Sequence, residues 1–146
     1  MLNHKQLESY NYYGLHKGPS LLVLGAIHGN ETCGSKAIKK INKMLTKGYL
    51  TILSGSITMI PISNPLAYEL KTRNGQRNLN RNFYPKTNPS NFEDHLNNIL
   101  CPIISKSDVI LDLHSFNRGD APFALINSIE KDHSIELIIE NKKKTL

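Results

Sequence analysis

At 146 residues the chain has the length of one ordinary domain, enough to bury a real core. Its net charge of +6 is spread along the sequence and not gathered into a stripe, which favours a basic soluble surface over a nucleic-acid groove. Two distant cysteines, Cys33 and Cys101, indicate neither a disulfide framework nor a thiolate zinc cluster.

The first residues, MLNHKQLESYNYYG, hold no apolar leader core, and no apolar run approaches a membrane span, so a cytoplasmic protein with reduced thiols is expected. PSLLVLGAI follows, a continuous apolar run ended by turn residues, which suits a strand buried on both faces. From Thr32 the spacing predicts a helix that puts Ala37, Ile38, Ile41, Met44 and Leu45 on one stripe and stops at Gly48. GSITMIPISNP reads as a second strand limited by Pro61 and Pro65. The polar stretch from 64 to 91 is too long for a mere connector. NFEDHLNNILCPIIS reads as a helix, SDVILDLHS as a third buried strand, PFALI as a candidate fourth, and the segment with Ile129, Ile135, Leu137 and Ile138 as a closing helix. The alternation predicts an α/β layer fold around a parallel or mixed sheet flanked by helices, with no internal repeat and no linker.

Chemistry concentrates where the first strand ends. GAIHGNETCG sets His28 and Glu31 three residues apart in a glycine-flanked turn, so imidazole and carboxylate can converge on one cation. Alone, such a match is more often a solvated turn. A third ligand is available at the end of VILDLHS, because carboxyl ends of strands in an open α/β sheet share one crevice; His114 then joins His28 and Glu31. Taken alone, His114 is as readily a satisfied histidine at a strand end. Asp112 lies on the same face and is placed to orient its imidazole. The polar stretch adds Arg73, Arg77 and Arg81 among Asn64, Asn78, Asn80 and Asn82, and guanidinium groups beside a metal suit carboxylate recognition and oxyanion stabilisation. Arg77 and Asn82 read instead as residues of a solvated loop.

Four motifs in order, G-x-x-H-G-N-E, N-P-x-A, an arginine followed by L-N-R-N-F, and D-L-H-S, resemble the succinylglutamate desuccinylase and aspartoacylase family of zinc hydrolases, relatives of the zinc carboxypeptidases. The resemblance covers roughly residues 20 to 116. It implies Zn2+ held by His28, Glu31 and His114, Arg73 polarising the scissile carbonyl, and Asn80 with Arg81 binding a substrate carboxylate. The implied reaction is hydrolysis of an N-acyl amino acid such as succinylglutamate or acetylaspartate. It further implies a zinc carboxypeptidase-like fold in which residues 1–146 form the N-terminal part of one catalytic domain, truncated at the C-terminus.

The sequence departs from the family twice. Asn78 stands where the family usually has the aspartate of D-L-N-R, losing a carboxylate that would brace the arginine loop. The family's general-base glutamate lies several tens of residues beyond D-L-H-S. Glu130, Glu136 and Glu140 read as a solvated helical face and do not replace it. The alternatives are a carboxypeptidase-like peptidase, a catalytically silent zinc-binding fragment and, last, a basic nucleic-acid module, which lacks any signature here. A small N-acyl amino acid is the expected partner, with neither nucleic acid nor membrane.

Overall fold

Leu22 and Leu24 face one side of the sheet and Val23 the other, and all three are buried, so the central strand must be covered on both faces. The computed structural model describes residues 7–115. The elements are β1 (Tyr10–Tyr13), β2 (His16–Gly25), α1 (Cys33–Thr46), β3 (Ser54–Ile60), α2 (Pro65–Leu70), α3 (Phe92–Ser105) and β4 (Val109–Leu113). The strands form one mixed sheet in the order β1-β3-β2-β4, with β2 parallel to both neighbours and β1 antiparallel to β3. Leu22, Leu24, Ile27 and Ile60 pack with Leu79, Leu96 and Leu100 on the α3 side. Val23 and Met59 pack with Ile38, and with the partly buried Leu45, on the α1 side. This is the α/β arrangement expected from the alternation of elements.

Three sequence expectations need correction. The antiparallel β1, with its alternating tyrosines, lies in a segment read only for its lack of a leader; Tyr10 pairs with Met59 and Tyr12 with Ile57. α1 buries Gly34, Ser35 and Ile38, whereas Ala37 is exposed and Ile41 keeps 38% of its surface. The contact face is turned because Gly34 lets the helix start close to β4: a Cβ there would lie 2.7 Å from the Leu113 Cβ. Among the described residues β4 is not a buried strand. It is the outermost strand of the described sheet, and Val109, Ile110 and Leu111 remain 51%, 45% and 47% exposed.

The polar stretch contains one short helix. Asn64 caps α2 by accepting from the Ala67 N–H, Pro65 begins it, and Lys71 ends it in the left-handed region at φ 55°. α3 is capped by Asn91, which accepts from the Asp94 N–H, and carries Glu93 and Asp94 in its first turn, where carboxylates suit the helix dipole. PFALI, the closing helix and Glu130, Glu136 and Glu140 lie outside the described residues.

Candidate metal centre

β2 and β4 run parallel with Leu24 opposite Asp112 and Gly25 opposite Leu113, so both chains leave the sheet side by side at their carboxyl ends. After β2 the backbone bends at Ala26, which has a positive φ of 50°, and His28 and Glu31 close a tight turn through Glu31 N–H to His28 carbonyl. The turn is pressed against α2. A Cβ at Gly29 would sit 2.0 Å from the Ala67 carbonyl carbon, so only glycine fits, and Asn30 N–H donates to the Thr72 carbonyl.

The three expected ligands meet. Nδ1 of His28 lies 2.9 Å from Oε1 of Glu31, and Nδ1 of His114 lies 2.9 Å from Oε2. The two rings stand 5.0 Å apart, tilted by 54°, and one ligand atom from each residue lies within 4.8 Å of the others. His28 and Glu31 are buried, and Ser115 N–H donates to Glu31 Oε2 at 2.9 Å.

Each histidine is held from behind. Asn78 Oδ1 accepts the Asn80 N–H at 3.0 Å, which sets the amide with its oxygen towards His28, and His28 Nε2 lies 3.2 Å from that oxygen. A proton on Nε2 satisfies this contact and leaves the Nδ1 lone pair for a cation. Although buried, Nδ1 has no hydrogen-bond partner, and a cation fits that lone pair. His114 Nε2 donates to Asp112 Oδ2 at 2.7 Å, the contact expected from the sequence, and turns Nδ1 towards Glu31. Two imidazole nitrogens and a carboxylate form a donor set that zinc accepts.

Electrostatics follow from these contacts. Burial pulls the His28 pKa down and keeps the ring neutral, outweighing the pull of Glu31 in the opposite sense. The hydrogen bond to Asp112 raises His114. Burial works to raise Glu31, but the Ser115 N–H, His114 and His28 together hold it below the ordinary carboxylate value.

Arg73 reaches the same place from the loop: its NH1 lies 2.8 Å from Glu31 Oε1, with 55% of the side chain exposed. Asn80 donates its backbone N–H to Asn78 Oδ1, and the exposed Arg81 donates to the Asn80 carbonyl, so both are placed by local contacts within the loop. Arg77 is not a solvated loop residue. Its Nε donates to Asp94 Oδ1 at 2.9 Å and its NH1 to the Asn78 and Arg81 carbonyls, which fixes the loop from within. Asn82 is exposed at φ 53°, as a turn residue should be. The sequence placed Asn78 among the loop asparagines and as a lost carboxylate without linking it to His28, and gave no role to the buried Glu93 that grips the loop at residues 76 and 77. An acidic residue just after an asparagine cap was the available signal.

The chain spans little more than a third of the length of the relatives it matches. An N-alpha-acetyl-L-2,4-diaminobutyric acid deacetylase from Halomonas elongata is 30% identical over 135 residues, which is 87% of this chain and 38% of that protein. The crystal structure of an aspartoacylase family protein from Mesorhizobium loti superposes with a TM-score of 0.65 at 34% identity, covering 75% of this chain and 35% of the other. A succinylglutamate desuccinylase/aspartoacylase structure from Rhodobacter sphaeroides gives a TM-score of 0.63 at 26% identity, with coverage of 75% and 33%. Residues 17–138 match the model of the succinylglutamate desuccinylase/aspartoacylase catalytic domain, so the two strand ends that bring His28, Glu31 and His114 together belong to a member of that hydrolase family.

Proposed function

We propose that this chain is the N-terminal, metal-binding part of the catalytic domain of a zinc-dependent hydrolase that cleaves the amide bond of an N-acyl amino acid. The observation that carries the reading is the buried Nδ1 of His28, which makes no hydrogen bond and lies 2.9 Å from Glu31 Oε1, with His114 within reach of the same point. Family membership supports the reaction class, and the curated relative, named as the deacetylase of an N-acetylated amino acid, supports the substrate class.

His28, Glu31 and His114 would hold the zinc. A bound zinc would supply Lewis acidity for the acyl carbonyl and lower the pKa of a water towards about 7. Arg73, anchored beside Glu31 and largely exposed, offers N–H donors to the oxygen on which negative charge develops. Asn80 and Arg81 would bind the amino acid's carboxylate and so hold the substrate in one orientation. None of the described residues is assigned the proton-transfer role.

The test is the zinc content of the purified chain, with titration by an N-acetylated amino acid followed calorimetrically. One zinc per chain, lost in both His28→Ala and His114→Ala, and acyl amino acid binding that needs the metal are expected. Zinc content unchanged by both substitutions would overturn the metal site; zinc binding without acyl amino acid binding would overturn the substrate class.

A further inference from the structure

Glu93, in the first turn of α3, is fully buried, and three N–H groups converge on its carboxylate. Asn64 Nδ2 and the Gln76 N–H donate to Oε1 at 3.1 and 3.2 Å, and the Arg77 N–H donates to Oε2 at 3.2 Å. The loop backbone runs directly over this group: a Cβ at Gly75 would lie 2.1 Å from Oε1. Phe92 N–H donates to Gln76 Oε1, and Asp94 accepts from the Arg77 guanidinium, so the whole first turn of α3 grips residues 76 and 77. On its other side Glu93 reaches the strand-end bend. Asn64, whose amide donates to Glu93, gives its backbone N–H to the Ala26 carbonyl two residues before His28. One residue past Arg77, the Asn78 amide oxygen holds His28 Nε2.

We propose that Glu93 is a positioning residue that ties the arginine loop to the turn carrying His28, so that Asn78 orients the ligand imidazole and Asn80 and Arg81 face a substrate carboxylate. The second half rests on the hydrolase reading above. The chemistry requires both oxygens. A glutamine of the same shape has one oxygen and one NH2, and whichever way it turns, an NH2 faces a backbone or side-chain N–H and leaves a buried donor without an acceptor. The loop then loses its anchor while the residues that would hold zinc remain.

The experiment compares the chain with Glu93→Gln and with Gly75→Ala, which disturbs the same contact from the loop side. Amide exchange, the visible spectrum of the Co(II)-loaded chain and N-acetyl amino acid binding to the zinc-loaded chain are measured. Folded Glu93→Gln should still take up one metal, with exchange at Gln76 and Arg77 faster by about tenfold or more, an altered cobalt spectrum, and acyl amino acid affinity reduced roughly tenfold, more than zinc affinity. If Glu93→Gln does not fold, Gly75→Ala must give the same pattern; if neither folds, Glu93 is a stability residue and the proposal falls. It also falls if exchange and cobalt spectrum stay unchanged, or if all amides loosen together. Should the unaltered chain bind no acyl amino acid, the hydrolase reading fails, while exchange and cobalt spectrum still decide for Glu93.

Discussion

The Nε2 of His28 lies 3.2 Å from the amide oxygen of Asn78, and this contact selects Nδ1 as the nitrogen that faces Glu31. A neutral amide oxygen is a weaker acceptor than a carboxylate. Asn78→Asp should therefore make the His28 ring a better donor and tighten zinc binding, whereas Asn78→Leu, which removes the acceptor, should weaken it by about 10- to 100-fold. Competition with a chromophoric chelator measures both. Equal affinity in the two variants would mean that His28 is oriented by packing alone.

Gly29 has no room for a side chain, because its Cβ would enter the Ala67 peptide group, which is backbone and cannot rotate away. Gly29→Ala must push α2 or the His28 turn aside, at a cost of roughly 1–3 kcal/mol. A fall in urea midpoint together with weaker zinc binding is expected. An unchanged midpoint would show that the turn yields freely.

Arg73 and Glu31 form an ion pair in which the arginine is more than half exposed, so the pair contributes about 1 kcal/mol or less to folding. Arg73→Ala should barely change the melting temperature and should leave the zinc content intact. If, as proposed, Arg73 polarises the acyl carbonyl, hydrolytic turnover should fall by about 10²–10³-fold in Arg73→Ala, and Arg73→Lys should recover little because the planar fork is lost. Unchanged turnover in Arg73→Ala would remove that role.

What the sequence made legible follows from the strength of each local signal. PSLLVLGAI and VILDLHS place His28 and His114 at strand ends by their apolar runs alone, and parallel pairing brings those ends together. Asp112 was legible because residues two apart on a strand share a face, and it meets His114. Long-range partners were not. Nothing local announces that Asn78 serves His28 across 50 positions, or that Arg77 is clamped by Asp94, since asparagine- and arginine-rich segments look solvated until a helix end is packed against them. β1 was missed because four residues with alternating tyrosines give too short a pattern, and the exposure of β4 because an apolar run does not say which strand ends up outermost.

The register that delivers His114 to the site is set at the other end of β4, and it should carry an acid signature. Asp108 Oδ2 accepts the Ser20 N–H and hydroxyl, both at 2.7 Å, while the Asp108 N–H donates back to Ser20 Oγ at 3.0 Å. The hydrogen bond from the Ser20 backbone, followed by that from its hydroxyl, lowers the Asp108 pKa from 3.8. A carboxyl whose folded pKa is depressed binds its proton more readily in the unfolded chain. Its stabilisation is complete well above pH 3.8 and is lost as pH falls through the lower, folded value. Asp108→Asn should therefore lower the urea midpoint at neutral pH, and the gap to the unaltered chain should close as pH drops below 3.8. A gap that stays constant over that range would show that the carboxylate charge is not what holds Ser20. Because β4 pairs with β2 from Val109 to Leu113, loosening this clamp should also weaken zinc binding through His114 while leaving the His28 turn in place. Zinc affinity unaffected by Asp108→Asn would mean that β2–β4 pairing alone fixes His114.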